Sequence, residues 1–152
     1  MICGIDPGLS GAISFIDGDK VEVYDMPTIT VTKGKKKVRS VNIPLLHEML
    51  AGMNPKVVVL EQVHAMPGQG VTSMFRFGEA YGIVQAVVAC CGYPLELVTP
   101  QKWKKAMGLS KDKGASRLLA TRYYPDYADK WARAKDDGRA EAVLIARWYN
   151  GN

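Results

Sequence analysis

Residues 57–60 read Val-Val-Val-Leu, an unbroken run of β-branched and apolar side chains. A strand of that kind offers no face to water and has to be covered on both sides. Residues 56–60 are therefore read as an inner strand, with helices required above and below it. Residues 2–6 (Ile-Cys-Gly-Ile-Asp) read as a second short buried strand, broken by Pro7, Gly8 and Gly11. Residues 12–17 and 20–25 read as two more, joined by the turn Asp17-Gly18-Asp19. Residues 27–42 read as a long polar loop centred on a run of lysines. Pro44 suits the first turn of a helix reaching about Met53, and Asn54-Pro55 stops it.

Residues 63–71 form a Gly-rich loop, after which a helix runs from Thr72 or Ser73 to Cys91. Gly78, Gly82 and Ala86 recur along it at four-residue spacing. This ridge of small residues allows a close approach, with packing inside the fold preferred to a dimer contact. Residues 94–98 make a fifth strand. Thr99 as cap and Pro100 at the first position open a helix over 100–107. Helices over 112–124 and 136–149 follow. The first three strands can pair antiparallel through short turns, whereas the later two need helical crossovers and run parallel. The expected class is α/β, a mixed five-stranded sheet flanked by helices on both faces.

A chain of 152 residues fits one domain, residues 1–152, with no internal repeat or linker. No apolar run reaches membrane-spanning length and no signal peptide precedes the first strand, so neither a membrane nor secretion is expected. Cys3, Cys90 and Cys91 are odd in number and lack zinc or redox spacing, which points to a reducing compartment. The expected location is the cytoplasm of a bacterial cell or a phage-infected host.

The formal net charge of +5 is unevenly spread. Lys33, Lys35, Lys36, Lys37 and Arg39 crowd one stretch, and Lys102, Lys104, Lys105, Lys111, Lys113 and Arg117 another. Such clusters suit a polyanion, most often nucleic acid, or else form solvated surface.

The acids fall at element ends. Asp6 ends the first strand and Glu61 the fourth; if these are neighbours, their carboxyl ends share the crevice where open α/β sheets place ligands. Asp137 and Glu141 are four residues apart on one face of the last helix, and Asp136 adds a third acid at its start. Each has a plain alternative: Asp6 as a turn residue, Glu61 as a loop start, Asp136 and Asp137 as acids favoured at a helix N-terminus. Converging carboxylates repel, and a cation relieves the repulsion. With only His47 and His64 in the chain, the donors are oxygens, which suit Mg²⁺ or Mn²⁺. Two such ions support phosphodiester hydrolysis.

Gly4-Ile5-Asp6-Pro7-Gly8 with Ser10-Gly11-Ala12, then Leu60-Glu61, then Asp137 with Ala140-Glu141-Ala142 and Ile145-Ala146, resemble the RuvC family of Holliday-junction resolvases. Residues 135–146 and Tyr24-Asp25-Met26-Pro27 look closest to the chloroplast and phage-type branch. The resemblance covers nearly the whole chain. It implies an RNase H-like fold and a homodimer in which each subunit nicks one of two opposed strands of a four-way DNA junction. The catalytic set it implies is Asp6, Glu61, Asp137 and Glu141 holding two Mg²⁺ per site, with Mn²⁺ able to substitute. Asp136 competes with Asp137 for that place. Bacterial RuvC has aspartate where this chain has Glu141, and its other helical acid is spaced differently.

Lys104 and Lys113 resemble the family's basic residues near the scissile phosphate, where a lysine can offset developing charge. Lys35, Lys36, Lys37, Arg39, Arg76, Lys102, Lys105, Lys111, Ser116 and Arg117 complete the expected DNA contacts. Phe75 is expected to stack on bases at the junction centre, Phe77 to be core, and Met66 and Gln69 to probe bases from their loop. No small-molecule substrate is expected. Competing readings are a nuclease for forks, flaps or structured RNA, and a non-catalytic junction-binding module. Asp6-Pro7-Gly8-Leu9-Ser10 also resembles a sugar-kinase phosphate loop, but that fold needs a second such loop and domain, which this chain does not show.

Overall fold

The computed structural model describes residues 1–151. Strands β1 (Ile2–Asp6), β2 (Ala12–Asp17) and β3 (Lys20–Asp25) form an antiparallel meander. Strand β6 (Val57–Glu61) pairs parallel with β1, and β7 (Leu95–Val98) parallel with β6. The five-stranded order is β3-β2-β1-β6-β7, a mixed sheet as expected. The helices are α1 (Ile43–Met53), α2 (Val71–Cys90), α3 (Pro100–Ala106), α4 (Ala115–Tyr123) and α5 (Asp137–Asn150). Two 3-10 segments, Pro125–Trp131 and Ala134–Asp136, lead into α5.

The apolar run 57–60 behaves as its composition dictates. Val58 and Leu60 point into a core with Cys3, Ile5, Leu46, Leu50, Val84 and Val88, beneath α1 and α2. Val59 points the other way, into a core with Ile16, Trp103, Trp131, Val143 and Leu144, beneath α5. Each such fully buried aliphatic side chain contributes about 1.5–3 kcal/mol.

Gly4 sets the height of α5 above the sheet. A Cβ there would overlap the carbonyl oxygen of Ala142 and lie 2.6 Å from the Ala146 backbone nitrogen. With hydrogen at Gly4 and methyls at Ala142 and Ala146, α5 rests directly on β1. Ser14 on β2 donates from Oγ to the Ala142 carbonyl at 2.8 Å, fixing the helix along its axis. At the helix start, Asp25 of β3 takes a bidentate bond from Arg139, at 2.7 and 2.9 Å.

Two expectations need correction. Residues 27–42 are not a loop: β4 (Thr28–Lys33) and β5 (Lys36–Val41) form a separate antiparallel hairpin. Thr-Ile-Thr-Val-Thr alternates over 28–32 and Gly34 turns the tip with φ 63°, so the strand period was present beneath the lysine charge. The Gly78-Gly82-Ala86 ridge does not pack inside the fold. It faces solvent, and a Cβ at either glycine would meet nothing within 4 Å.

Candidate active site

The parallel pairing of β1 with β6 brings Asp6 and Glu61 to the same sheet edge. Glu141 arrives one turn into α5, which Gly4 lets lie on β1. Ligand oxygens from Asp6, Glu61 and Glu141 all lie within 4.8 Å of one another. Burial, and then Glu141 and Glu61, push the Asp6 carboxyl well above the ordinary carboxylate range, partly countered by Lys104. Burial likewise raises Glu61; a hydrogen bond from Trp103 pulls it partway back, and Glu141 pushes it up again. Carboxylates that cannot all ionise cheaply on their own are suited to a shared cation, and the all-oxygen donor set fits Mg²⁺ or Mn²⁺.

The two glutamates have fixed orientations. Trp103 Nε1 donates to Glu61 Oε2 at 2.6 Å. Lys104 Nζ and Ser116 Oγ each donate to Glu141 Oε1 at 3.1 Å. Lys104 also sits over the Trp103 ring, 5.2 Å from its centroid. Beside Asp6, Gly138 leaves room for the carboxylate: a Cβ there would stand 3.1 Å from Asp6 Oδ2.

Asp137 stands outside the three-acid group. Its Oδ1 accepts from Arg117 Nε at 2.7 Å, and the same guanidinium donates from Nη1 to the Ala132 carbonyl at 3.1 Å. Asp136 does not compete for the site. It is 4% exposed and turned away, with Arg133 donating to it from its backbone nitrogen, Nε and Nη2. Those bonds hold its carboxyl below the usual range.

A groove of about 680 Å³ opens beside Glu141 and Asp137 and carries Lys104, Lys105, Lys111 and Lys113. Ser116 is buried at its floor. A second cleft of about 550 Å³ lies between residues 6–11 and α2, with Arg76 on its wall. Phe77 is packed against Gly8 at this cleft and lies outside both core clusters. Phe75 is 71% exposed and Met66 56%, and Gln69 is exposed on the loop before α2. Lys35, Lys36 and Lys37 are exposed around the hairpin tip. Arg39 donates to the Leu9 carbonyl at 2.6 Å, tying the hairpin to the loop after Asp6. Lys102 lies over the Trp148 ring at 5.4 Å.

Sequence reasoning missed Trp103, Arg133 and the pairing of Asp25 with Arg139. The only signal for the last was Tyr24-Asp25-Met26-Pro27, a motif without an assigned role.

No known protein-family model matches the chain. The chloroplastic Holliday junction resolvase MOC1 of Chlamydomonas reinhardtii is 32% identical over 92 residues, 57% of this chain. The chain spans about a tenth of the length of that curated relative, of which 10% is aligned. Among solved structures, Thermus thermophilus RuvC in complex with Holliday junction substrate superposes with a TM-score of 0.61 at 16% identity, covering 99% of this chain and 94% of that one. The yeast mitochondrial Holliday junction resolvase Ydc2 gives 0.60 at 16% identity, covering 97% and 76%. The fowlpox virus Holliday junction resolvase gives 0.54 at 18% identity, covering 99% and 96%. The resemblance read from the motifs is borne out, and the fold is that of the RuvC-type, RNase H-like resolvases.

Proposed function

We propose that this chain is a metal-dependent endodeoxyribonuclease that resolves four-way DNA junctions by paired symmetric nicks. The observation that carries this is the convergence of Asp6, Glu61 and Glu141 within 4.8 Å at the edge of a RuvC-type sheet. The lysine-lined groove beside them supports a polyanionic substrate. Asp6, Glu61 and Glu141 would hold a divalent ion, and Asp137 would join them for a second. We take the ions to be Mg²⁺, replaceable by Mn²⁺, two per site. When bound, such ions would supply activation of a water and stabilisation of the leaving oxygen of a phosphodiester, for products with a 5′-phosphate and a 3′-hydroxyl.

The protein's own groups position the reactants. Trp103, Lys104 and Ser116 hold the carboxylates in register. Lys113, on the groove wall, offsets charge on the phosphate, and Lys105 and Lys111 track the backbone. The hairpin lysines Lys35, Lys36 and Lys37 grip a second stretch of backbone. Residues 1–152 act as one nuclease domain, two copies of which pair through the exposed face of α2. Val71 and Phe75 lie at one end of that face, followed by Gly78, Gly82 and Ala86, whose small side chains permit close helix contact. The location that accords with this reading is the cytoplasm of a bacterial cell or a phage-infected host. Among the described residues, no helix is long and apolar enough to cross a membrane.

The test is cleavage of strand-labelled four-way junction, fork and linear duplex, with Mg²⁺ or with EDTA. Symmetric paired nicks on the junction, lost in EDTA and in Asp6→Asn, are the expected result. Unpaired cleavage of forks or flaps would move the activity to general branched-DNA processing. Tight junction binding without cleavage in Mg²⁺ or in Mn²⁺ would make the chain a non-catalytic module.

A further inference from the structure

Of Asp6, Glu61, Asp137 and Glu141, Asp137 alone is held by a guanidinium, whereas Glu141 is paired with the Lys104 ammonium. Arg117 projects from α4 and is anchored at two points, Asp137 Oδ1 and the Ala132 carbonyl. Room for it is made by Gly114, where a Cβ would stand 2.9 Å from Arg117 Nη2. Arg117 is 25% exposed, so its position is set by packing as well as by charge. Asp137 is 52% exposed and lies on the groove that carries the lysines. The other three acids already face one another.

We propose that Arg117 is a positioning residue that makes cation binding sequential. The first divalent ion enters Asp6, Glu61 and Glu141 as they stand, and a second requires Asp137 to leave Arg117. This rests on the metal-site reading given above. The ion pair is a competitor of fixed location: its carbonyl anchor keeps the guanidinium beside Asp137. A phosphate group in the groove offers its two non-bridging oxygens to the same fork and is a better bidentate acceptor than the single Asp137 oxygen it now meets. DNA in the groove therefore draws Arg117 away and frees Asp137, so backbone binding and the second cation favour one another. By linkage the effect is reciprocal.

The experiment is a Mn²⁺ titration of the whole chain without DNA, followed by calorimetry and by the electron paramagnetic resonance signal of free Mn²⁺. The wild type is expected to bind one ion tightly and a second at least tenfold more weakly. Arg117→Gln should tighten the second ion roughly three- to tenfold and leave the first unchanged, the scale of losing one partly exposed ion pair plus a nearby positive charge. Arg117→Lys, which keeps charge but not the fork, should fall between. Asp137→Asn should abolish the weak ion and spare the tight one. Circular dichroism and melting verify that each variant is folded.

Two ions of equal affinity in the wild type, an unchanged Arg117→Gln isotherm, or loss of the tight ion in Asp137→Asn would each overturn the proposal. No Mn²⁺ binding at all would overturn the metal-site reading on which it stands. The expected isotherms without junction cleavage would instead overturn the nuclease assignment and leave the role of Arg117 in place.

Discussion

The indole of Trp103 and the carboxylate of Glu61 meet at 2.6 Å, in a place where the tryptophan is fully buried and the glutamate is 8% exposed. The bond takes Glu61 Oε2 and orients Oε1 without any charge being added. Groups that orient a metal ligand from behind typically matter by 10–100-fold in affinity or activity. Trp103→Phe keeps most of the apolar volume and removes the donor. It is expected to weaken Mn²⁺ binding by roughly 10- to 100-fold and to lower the melting temperature, since an unpaired buried acceptor costs about 1–3 kcal/mol. Calorimetric titration alongside thermal melting would show whether both changes occur.

The metal-free protein should lose stability as pH rises. Asp6 and Glu61 are held above the ordinary carboxylate range by burial first and neighbouring carboxylates next. The unfolded chain releases these protons near pH 4. The folded chain keeps them to higher pH, so across that window it binds more protons and stability falls as pH climbs through the raised values. In EDTA, Asp6→Asn should therefore melt higher than the wild type at pH 7 and match it near pH 4. Mg²⁺ at about a hundred times its Kd should restore roughly 2.7 kcal/mol to the wild type, a melting shift of about 5–10 °C. A wild-type melting temperature flat from pH 4 to 8 in EDTA would contradict the carboxylate geometry.

Gly4→Ala is the substitution the fold tolerates least. Its methyl would overlap the Ala142 carbonyl and crowd Ala146. The backbone of α5 must then lift from β1, carrying Glu141 away from Asp6. A destabilisation above about 3 kcal/mol is expected from such overpacking against backbone, measurable by urea denaturation, together with loss of Mn²⁺ binding in whatever fraction remains folded.

Changing Lys35, Lys36 and Lys37 together to glutamine should weaken junction binding without altering the metal isotherm. If each contacts one phosphate, the slope of log affinity against log salt should shrink by roughly 0.9 per contact. An unchanged slope from fluorescence anisotropy would return the hairpin tip to ordinary solvated surface.

The strands were legible because their hydrophobic pattern is local. The run 57–60 and Ile2-Cys3-Gly4-Ile5 declare buried strands whatever surrounds them. The hairpin over residues 28–41 was hidden because the alternation Thr-Ile-Thr-Val-Thr runs into lysines whose charge masks the period. Asp6 and Glu61 were readable from their positions at strand ends. The choice between Asp136 and Asp137 was not: it depends on where Arg133 and Arg117 reach, and neither reach has a sequence signature. Trp103 is the same kind of case. A tryptophan in a lysine-rich helix looks like an anchor for that helix, and only the fold places it behind residue 61, 42 positions away.

The seating of α5 on Gly4 also bears on the order in which the three acids become available during synthesis. The acids lie at positions 6, 61 and 141, and the last is carried by the element that roofs the sheet. During translation the meander and β6 emerge first, with one face still bare and the site lacking its third carboxylate. A ribosome-bound or prematurely terminated product ending before α5 has neither the roof nor Glu141. The three-acid cluster is therefore a late feature of synthesis, assembled only when α5 closes over β1.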